Sequence, residues 1–210
     1  MTLKRGLMIV FEGCDRAGKS TQTELLAKYF TQRNLEWKLV KFPDRTSISG
    51  KMINSYLQGE KKLNDQAIHL LFSANRWEVI HELKSMLDDG INLIVDRYAF
   101  SGAAFTAAKG LDLEWCKACD KGLLSPDLIF FLDIDNQTMK TRKDFGGEIY
   151  EKLDFQMKVR EKFELIKESH WKFIDAKLSI QDVHEHVVTS VESALKVDNI
   201  PCAKYNLWLN

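Results

Sequence analysis

Gly13-Cys-Asp-Arg-Ala-Gly-Lys-Ser20 has the spacing G-x4-G-K-[ST]. Its glycines let the backbone curl until successive N–H groups face one centre. A lysine and a hydroxyl close the segment. This is chemistry for phosphate. The amides and the N-terminus of a following helix cradle the oxygens. Lys19 reaches the β- and γ-phosphates, and the Ser20 hydroxyl holds Mg2+. Asp15 puts a carboxylate beside those phosphates, which is costly unless a sugar hydroxyl or a neighbouring arginine engages it. Arg16 supplies permanent positive charge where a γ-phosphoryl group would be transferred, and can stabilise its equatorial oxygens in the transition state.

A metal bound there needs a further carboxylate from a neighbouring strand end. Asp96 follows Asn-Leu-Ile-Val, while Asp133 and Asp135 follow Leu-Ile-Phe-Phe-Leu; spacing does not choose among the three. Arg97 follows Asp96 directly, and strand C-termini are where parallel sheets bind ligands. Phe42-Pro-Asp-Arg45 brings Arg45 toward the same crevice. Phe72 and Arg76 are four apart, on one face of a helix. A ring and a planar guanidinium suit a flat base that is stacked and hydrogen-bonded at its edge.

Positioning these groups requires strands that alternate with helices. Leu7–Phe11 is a continuous apolar run ended by polar residues, as in a strand buried on both faces. A helix is expected over Ser20–Arg33, a strand over Trp37–Phe42, and one long helix over Gln66–Asp88, stopped by Gly90. Ile91–Val95, Leu128–Leu132 and Trp171–Ile174 complete five strands. Ala99–Lys109, Asp112–Lys121, Asp154–Glu168 and Ile180–Leu195 read as helices. The expected fold is α/β: a three-layer α/β/α arrangement of one parallel sheet with right-handed crossovers. Lys140–Glu151 is polar and glycine-bearing, the composition of a mobile loop.

The 210 residues, 45% of them apolar, suffice for one domain spanning 1–210. Thirty basic and thirty acidic side chains balance, which argues against nucleic-acid or membrane partners but leaves small anions open. No apolar run approaches the ~18 residues of a membrane span. Leu7–Phe11 is too short for a secretory signal, so a cytoplasmic protein is expected, with the nucleus also open to it. Cys116 and Cys119 form a C-x-x-C with no second pair at zinc-ligand spacing, which reads as free thiols in a reducing compartment.

FEGCDRAGKSTQ, FPDR, GKMINSYL, HLLFSANRWE, LIVDRYAFSGAAF, GLLSPDLIFFLDI and GGEIYE together resemble thymidylate kinases of the eukaryotic and poxvirus-like group. The likeness runs from about Leu7 to Asp154 and is weaker beyond. It implies a P-loop domain with a five-stranded parallel sheet and a lid at about 140–152. It also implies phosphorylation of dTMP to dTDP by Mg-ATP, within dTTP synthesis, usually by a homodimer. By this resemblance Gly13, Ala17, Gly18 and Thr21 join Arg16, Lys19 and Ser20 around ATP, and Arg142 lies against the adenine. Arg45 and Arg97 go to the acceptor phosphate, Phe72 to stacking on thymine, and Arg76 to its edge. Asp15 acts near the 3′-hydroxyl and the loop arginine; Gly102, Phe105 and Tyr150 lie on the dTMP side. Asp15, Arg16, Lys19 and Arg97 form the catalytic set, and Asp96 becomes the preferred metal carboxylate beside Ser20. One departure stands out: some relatives carry a lid arginine where this chain has Ile149, which makes Arg16 the leading stabiliser of the transferred group.

Asp144-Phe-Gly-Gly147 fits the D-x-x-G of a GTPase switch, but no N-K-x-D accompanies it and no apolar strand precedes it. The D-F-G within it lacks the H-R-D loop of a protein kinase. The nearer alternatives are a kinase of another nucleoside monophosphate, or a catalytically silent nucleotide-binding protein of this fold.

Overall fold

The computed structural model describes residues 5–141, 148–197 and 203–209. Five parallel strands, β1 (Met8–Glu12), β2 (Trp37–Lys41), β3 (Asn92–Asp96), β4 (Leu128–Asp133) and β5 (Lys172–Asp175), form one sheet in the order β2-β3-β1-β4-β5. Register pairs Phe11 with Asp96 on one side and with Phe130 on the other. Every residue of β1 and β3 is buried. Successive side chains point to opposite faces, so burial without alternation means that both faces are covered. The chain leaves β1 toward β2 and later returns to its other side, so the topology switches at β1. That crevice, beyond the strand C-termini, is where such sheets bind ligands.

The helices are α1 (Lys19–Gln32), α2 (Ile48–Leu57), α3 (Asp65–Trp77), α4 (Ile80–Asp88), α5 (Ala99–Ala107), α6 (Leu113–Ala118), α7 (Asn136–Thr141), α8 (Leu153–Ile166) and α9 (Ile180–Leu195). The single helix expected over Gln66–Asp88 is two, and this corrects the sequence reading. α3 packs on α2 and α5, whereas α4 packs on β3, and one straight rod cannot serve both. At the break Val79 N donates to the Arg76 carbonyl at 3.4 Å, a tightened turn before the ladder restarts. α2 was not anticipated. Its local signal is Ser47, whose hydroxyl caps the helix by accepting from Gly50 N at 3.1 Å.

The main core surrounds the sheet. A smaller cluster of Ile53, Tyr56, Leu57 and Ile68 joins α2 to α3, with Phe72, Ile149 and Tyr150 packed against it. That cluster docks the residues after position 147 beside the crevice.

Candidate active site

β1 ends at Glu12 and the chain turns at Gly13, with φ at 139°. A Cβ there would lie 2.5 Å from the Leu132 carbonyl, so only glycine lets the loop pass over β4. Arg16 is left-handed as well, with φ at 63°, a strained setting for a residue bearing a Cβ. α1 then opens behind Gly18 without a capping side chain, leaving its first N–H groups for a ligand. Lys19 is 6% exposed and donates to the carbonyls of Gly13 at 3.1 Å and Cys14 at 2.7 Å. Burial, with Arg97 nearby, pulls its ammonium down to about 8.

Arg97, just past β3, also has positive φ, at 68°. Its guanidinium donates to the Gly13 carbonyl at 2.9 Å, to Ser101 Oγ at 3.0 Å and to Asp15 Oδ1. It also covers the Phe105 ring, 5.1 Å from its centroid. Two buried residues that the sequence reading passed over hold this arrangement. Glu12 accepts from Tyr98 N at 2.9 Å, from Ser101 N at 3.0 Å and from Ser101 Oγ, fixing the turn into α5. Complete burial pushes its carboxyl above the usual range. Gln156 of α8 donates to Asp15 Oδ2 at 2.6 Å and to the Tyr150 carbonyl at 3.0 Å, while its oxygen accepts from Asp15 N at 2.9 Å. A glutamate ending an apolar strand is a legible signal; a glutamine within an amphipathic helix is not.

The structure separates the three carboxylates that spacing left open. Asp96 accepts from Ser20 Oγ at 2.7 Å, at the mouth of the phosphate loop. Asp133 takes both arms of Arg160, at 2.7 and 2.8 Å. Asp135 caps α7 by accepting from Thr138 N at 2.8 Å.

Opposite the loop, Arg45 donates to Glu148 at 2.7 Å and Asn54 at 3.0 Å, and Arg16 donates to Glu151 at 3.0 Å. Arg76 is almost wholly buried and gives Nε and Nη2 to Asp120. Tyr150 stacks on Phe155, with centroids 5.3 Å apart, and lies beside Phe105 and beneath the Lys109 ammonium.

One cavity of about 680 Å3 spans both halves. It is lined by every site residue expected from sequence except two: Gly13 lies at the base of the loop, and Arg142 lies outside the described residues. Residues 142–147 of the expected lid at about 140–152, and with them the whole Asp144–Gly147 motif, lie outside the described residues too. Ala176 and Leu178, between β5 and α9, with Ile180 at the start of α9, form an apolar wall that sequence reasoning did not find. No helix among the described residues is long and apolar enough to cross a membrane.

A family model described as thymidylate kinase matches residues 11–187. The thymidylate kinase of Schizosaccharomyces pombe is 49% identical over 90% of this chain and 93% of its own length. That of Homo sapiens is 44% identical over 93% and 94%. The solved thymidylate kinase of Candida albicans superposes with a TM-score of 0.87 at 36% identity, covering 95% of this chain and 97% of that one. With the phosphate loop, the strand-end arginine and the ring–guanidinium pair meeting in one crevice, this chain belongs to the thymidylate kinase family.

Proposed function

We propose that the protein transfers the γ-phosphoryl group of ATP to dTMP, yielding dTDP and ADP for dTTP synthesis. One observation carries this reading. A single cavity holds a phosphate loop at one end and the Phe72–Arg76 pair at the other, with Arg97 between them.

The chemistry follows from charge. An oxygen of the dTMP phosphate attacks the γ-phosphorus as the bond to the β-phosphate's bridging oxygen breaks. The nucleophile is already an oxyanion, so no strong general base is needed. The obstacle is bringing together two groups that each carry up to about two negative charges. Lys19 and Arg16 face the ATP side, and Arg45 and Arg97 the acceptor side. Asp15, fixed by Arg97 and Gln156, is placed for the sugar hydroxyl. Preorganised cations of this kind act by positioning and by stabilising the spreading transition-state charge. The ring of Phe72 and the fork of Arg76 take the base, Gly102, Phe105 and Tyr150 the dTMP side.

Ser20 and Asp96 offer two hard oxygen donors at the loop, a set that fits Mg2+, which usually keeps waters and takes only one or two protein oxygens. Ser20 and Asp96 would hold the ion, and when bound there it would supply positive charge against the nucleotide phosphates. The wider reading is one domain over 1–210, with a lid at about 140–152 whose Arg142 meets the adenine. It includes a cytoplasmic homodimer and no nucleic-acid or membrane partner. Balanced charge supports the small-molecule partners. Exposed apolar side chains on neighbouring helices, Met52, Leu70 and Trp77, support a second copy.

The test is direct: Mg-ATP and dTMP should give dTDP, with dUMP, dGMP and AMP as competing acceptors. Nucleotide binding without turnover would favour a silent relative. Preferred turnover of another monophosphate would reassign the acceptor.

A further inference from the structure

The ion pair between Arg76 and Asp120 plays no part in the phosphate chemistry. Asp120 lies in the polar run Cys119-Asp-Lys-Gly122 after α6, where composition suggests a solvated acid. Its side chain is instead 0% exposed, and that of Arg76 3%. Arg76 Nε donates to Oδ1 at 3.1 Å and Nη2 to Oδ2 at 2.5 Å. Ser73, one turn earlier on α3, donates its hydroxyl to the same Oδ1 at 2.8 Å. Burying both charges carries a desolvation penalty that their attraction often fails to recover, so stability is a poor reason for such a pair and orientation a better one.

A second constraint comes from α5. A Cβ on Gly102 would lie 2.7 Å from Arg76 Nη2 and 3.1 Å from Nη1. The helix backbone therefore closes against the guanidinium, where a side chain at Gly102 would meet it. The fork is held between Asp120 and Gly102. Its Nη1 bonds none of the described residues, and Arg76 lines the cavity.

We propose that Asp120 is a positioning residue for base selection. It holds Arg76 so that the donors left over meet an acceptor on the edge of the base, and the site thereby takes a keto pyrimidine and refuses an amino one. This rests on the reading of the cavity as a dTMP site. Guanidinium has five N–H donors and no acceptor. Thymine presents a carbonyl oxygen at its 4-position, where cytosine presents an amino group. A donor facing a donor in a desolvated site leaves both unpaired, and sites built on such contacts discriminate by large factors. A guanidinium free to swing aside would forgive the mismatch, and the carboxylate behind it removes that freedom.

The experiment compares kcat/KM for dTMP and dCMP at saturating Mg-ATP in the unaltered protein, Asp120→Asn and Arg76→Ala. In Asp120→Asn the dTMP-to-dCMP ratio should fall by about tenfold or more, through a raised KM for dTMP, with the KM for ATP unmoved. A lowered melting temperature with both substrates scaled alike, and the ratio intact, would mean a merely structural role and overturns the proposal. If Asp120→Asn does not fold, Ser73→Ala loosens the same carboxylate. The ratio should then fall by about threefold, the lower end of one hydrogen bond's worth, and an unchanged ratio is equally fatal. A ratio that collapses in Arg76→Ala but holds in Asp120→Asn refutes Asp120 alone. One that holds in Arg76→Ala removes the base reading beneath it, and this proposal with it.

Discussion

The cavity carries two sets of charged partners at different depths. The inner set, Asp15 with Arg97 and Ser20 with Asp96, lies where β1 and β3 run into the phosphate loop, the start of α1 and the turn before α5, beside Glu12, Ser101 and Gln156. The outer set, Arg45 with Glu148 and Arg16 with Glu151, lies nearer the rim, and both its arginines are about a third exposed or more. Asp15 and Arg97 are held by several neighbours each, which is the preorganisation that catalysis needs. Outer pairs lie near water, where an ion pair is worth little by itself. A phosphate can therefore replace Glu148 or Glu151 at little cost, whereas the inner groups are already in place when it arrives.

Substitutions should follow that gradient. Lys19→Met removes the buried cation of the phosphate loop and should lower kcat by ~100-fold or more with the fold retained, by analogy with loss of one transition-state donor. A smaller loss in steady-state assays would break the contrast at its deepest point. Arg97→Ala should reduce dTMP turnover by about tenfold or more, since an acceptor contact goes while Gln156 still holds Asp15. Unchanged dTMP kinetics in a variant with normal circular dichroism would reject its role. Arg16→Gly should lower kcat roughly tenfold while leaving ATP affinity nearly unchanged, because its charge matters most in the transition state. A pure affinity loss would move Arg16 to the ground-state binders.

The buried lysine of the phosphate loop, beside the inner set, should also show in pH dependence. Lys19 in the ligand-free protein loses its proton near pH 8, against 10.5 for an ordinary lysine. The kcat/KM for ATP, which reports free-enzyme ionisations, should fall several-fold between pH 8 and 9. The sign for stability is opposite. Between about 8 and 10.5 the unfolded chain still holds a proton that the folded one has released, so this group makes stability rise with pH across that window. A flat profile to pH 9.5 would place the ammonium in a wetter setting. Smallest is Glu148→Gln at the rim: freeing Arg45 should lower the KM for dTMP by about two- to fivefold, the worth of an exposed pair. A rise in KM would show Glu148 to be part of the acceptor site.

Much of this protein is legible in the chain alone. The phosphate loop is local: a strand, eight residues and a helix define its curve. The strands could be read because burial on both faces leaves uninterrupted apolar runs, and that sufficed for a parallel sheet. Phe72 with Arg76, and Asp96 with Arg97, could be read as pairs because helix and strand periodicities act over a few residues. Residue spacing alone left Asp96, Asp133 and Asp135 open; the tertiary structure brings Asp96 across 76 positions to Ser20 while Arg160 and the start of α7 engage the others. It alone buried Asp120 behind Arg76, seated Gln156 against Asp15, set Glu148 on Arg45, and split Gln66–Asp88 into α3 and α4. The physical reason is common to all of these. Hydrogen-bond and charge partners are chosen by proximity in space, and a polar residue's sequence neighbours do not record whether its carboxylate or amide will face water or an arginine.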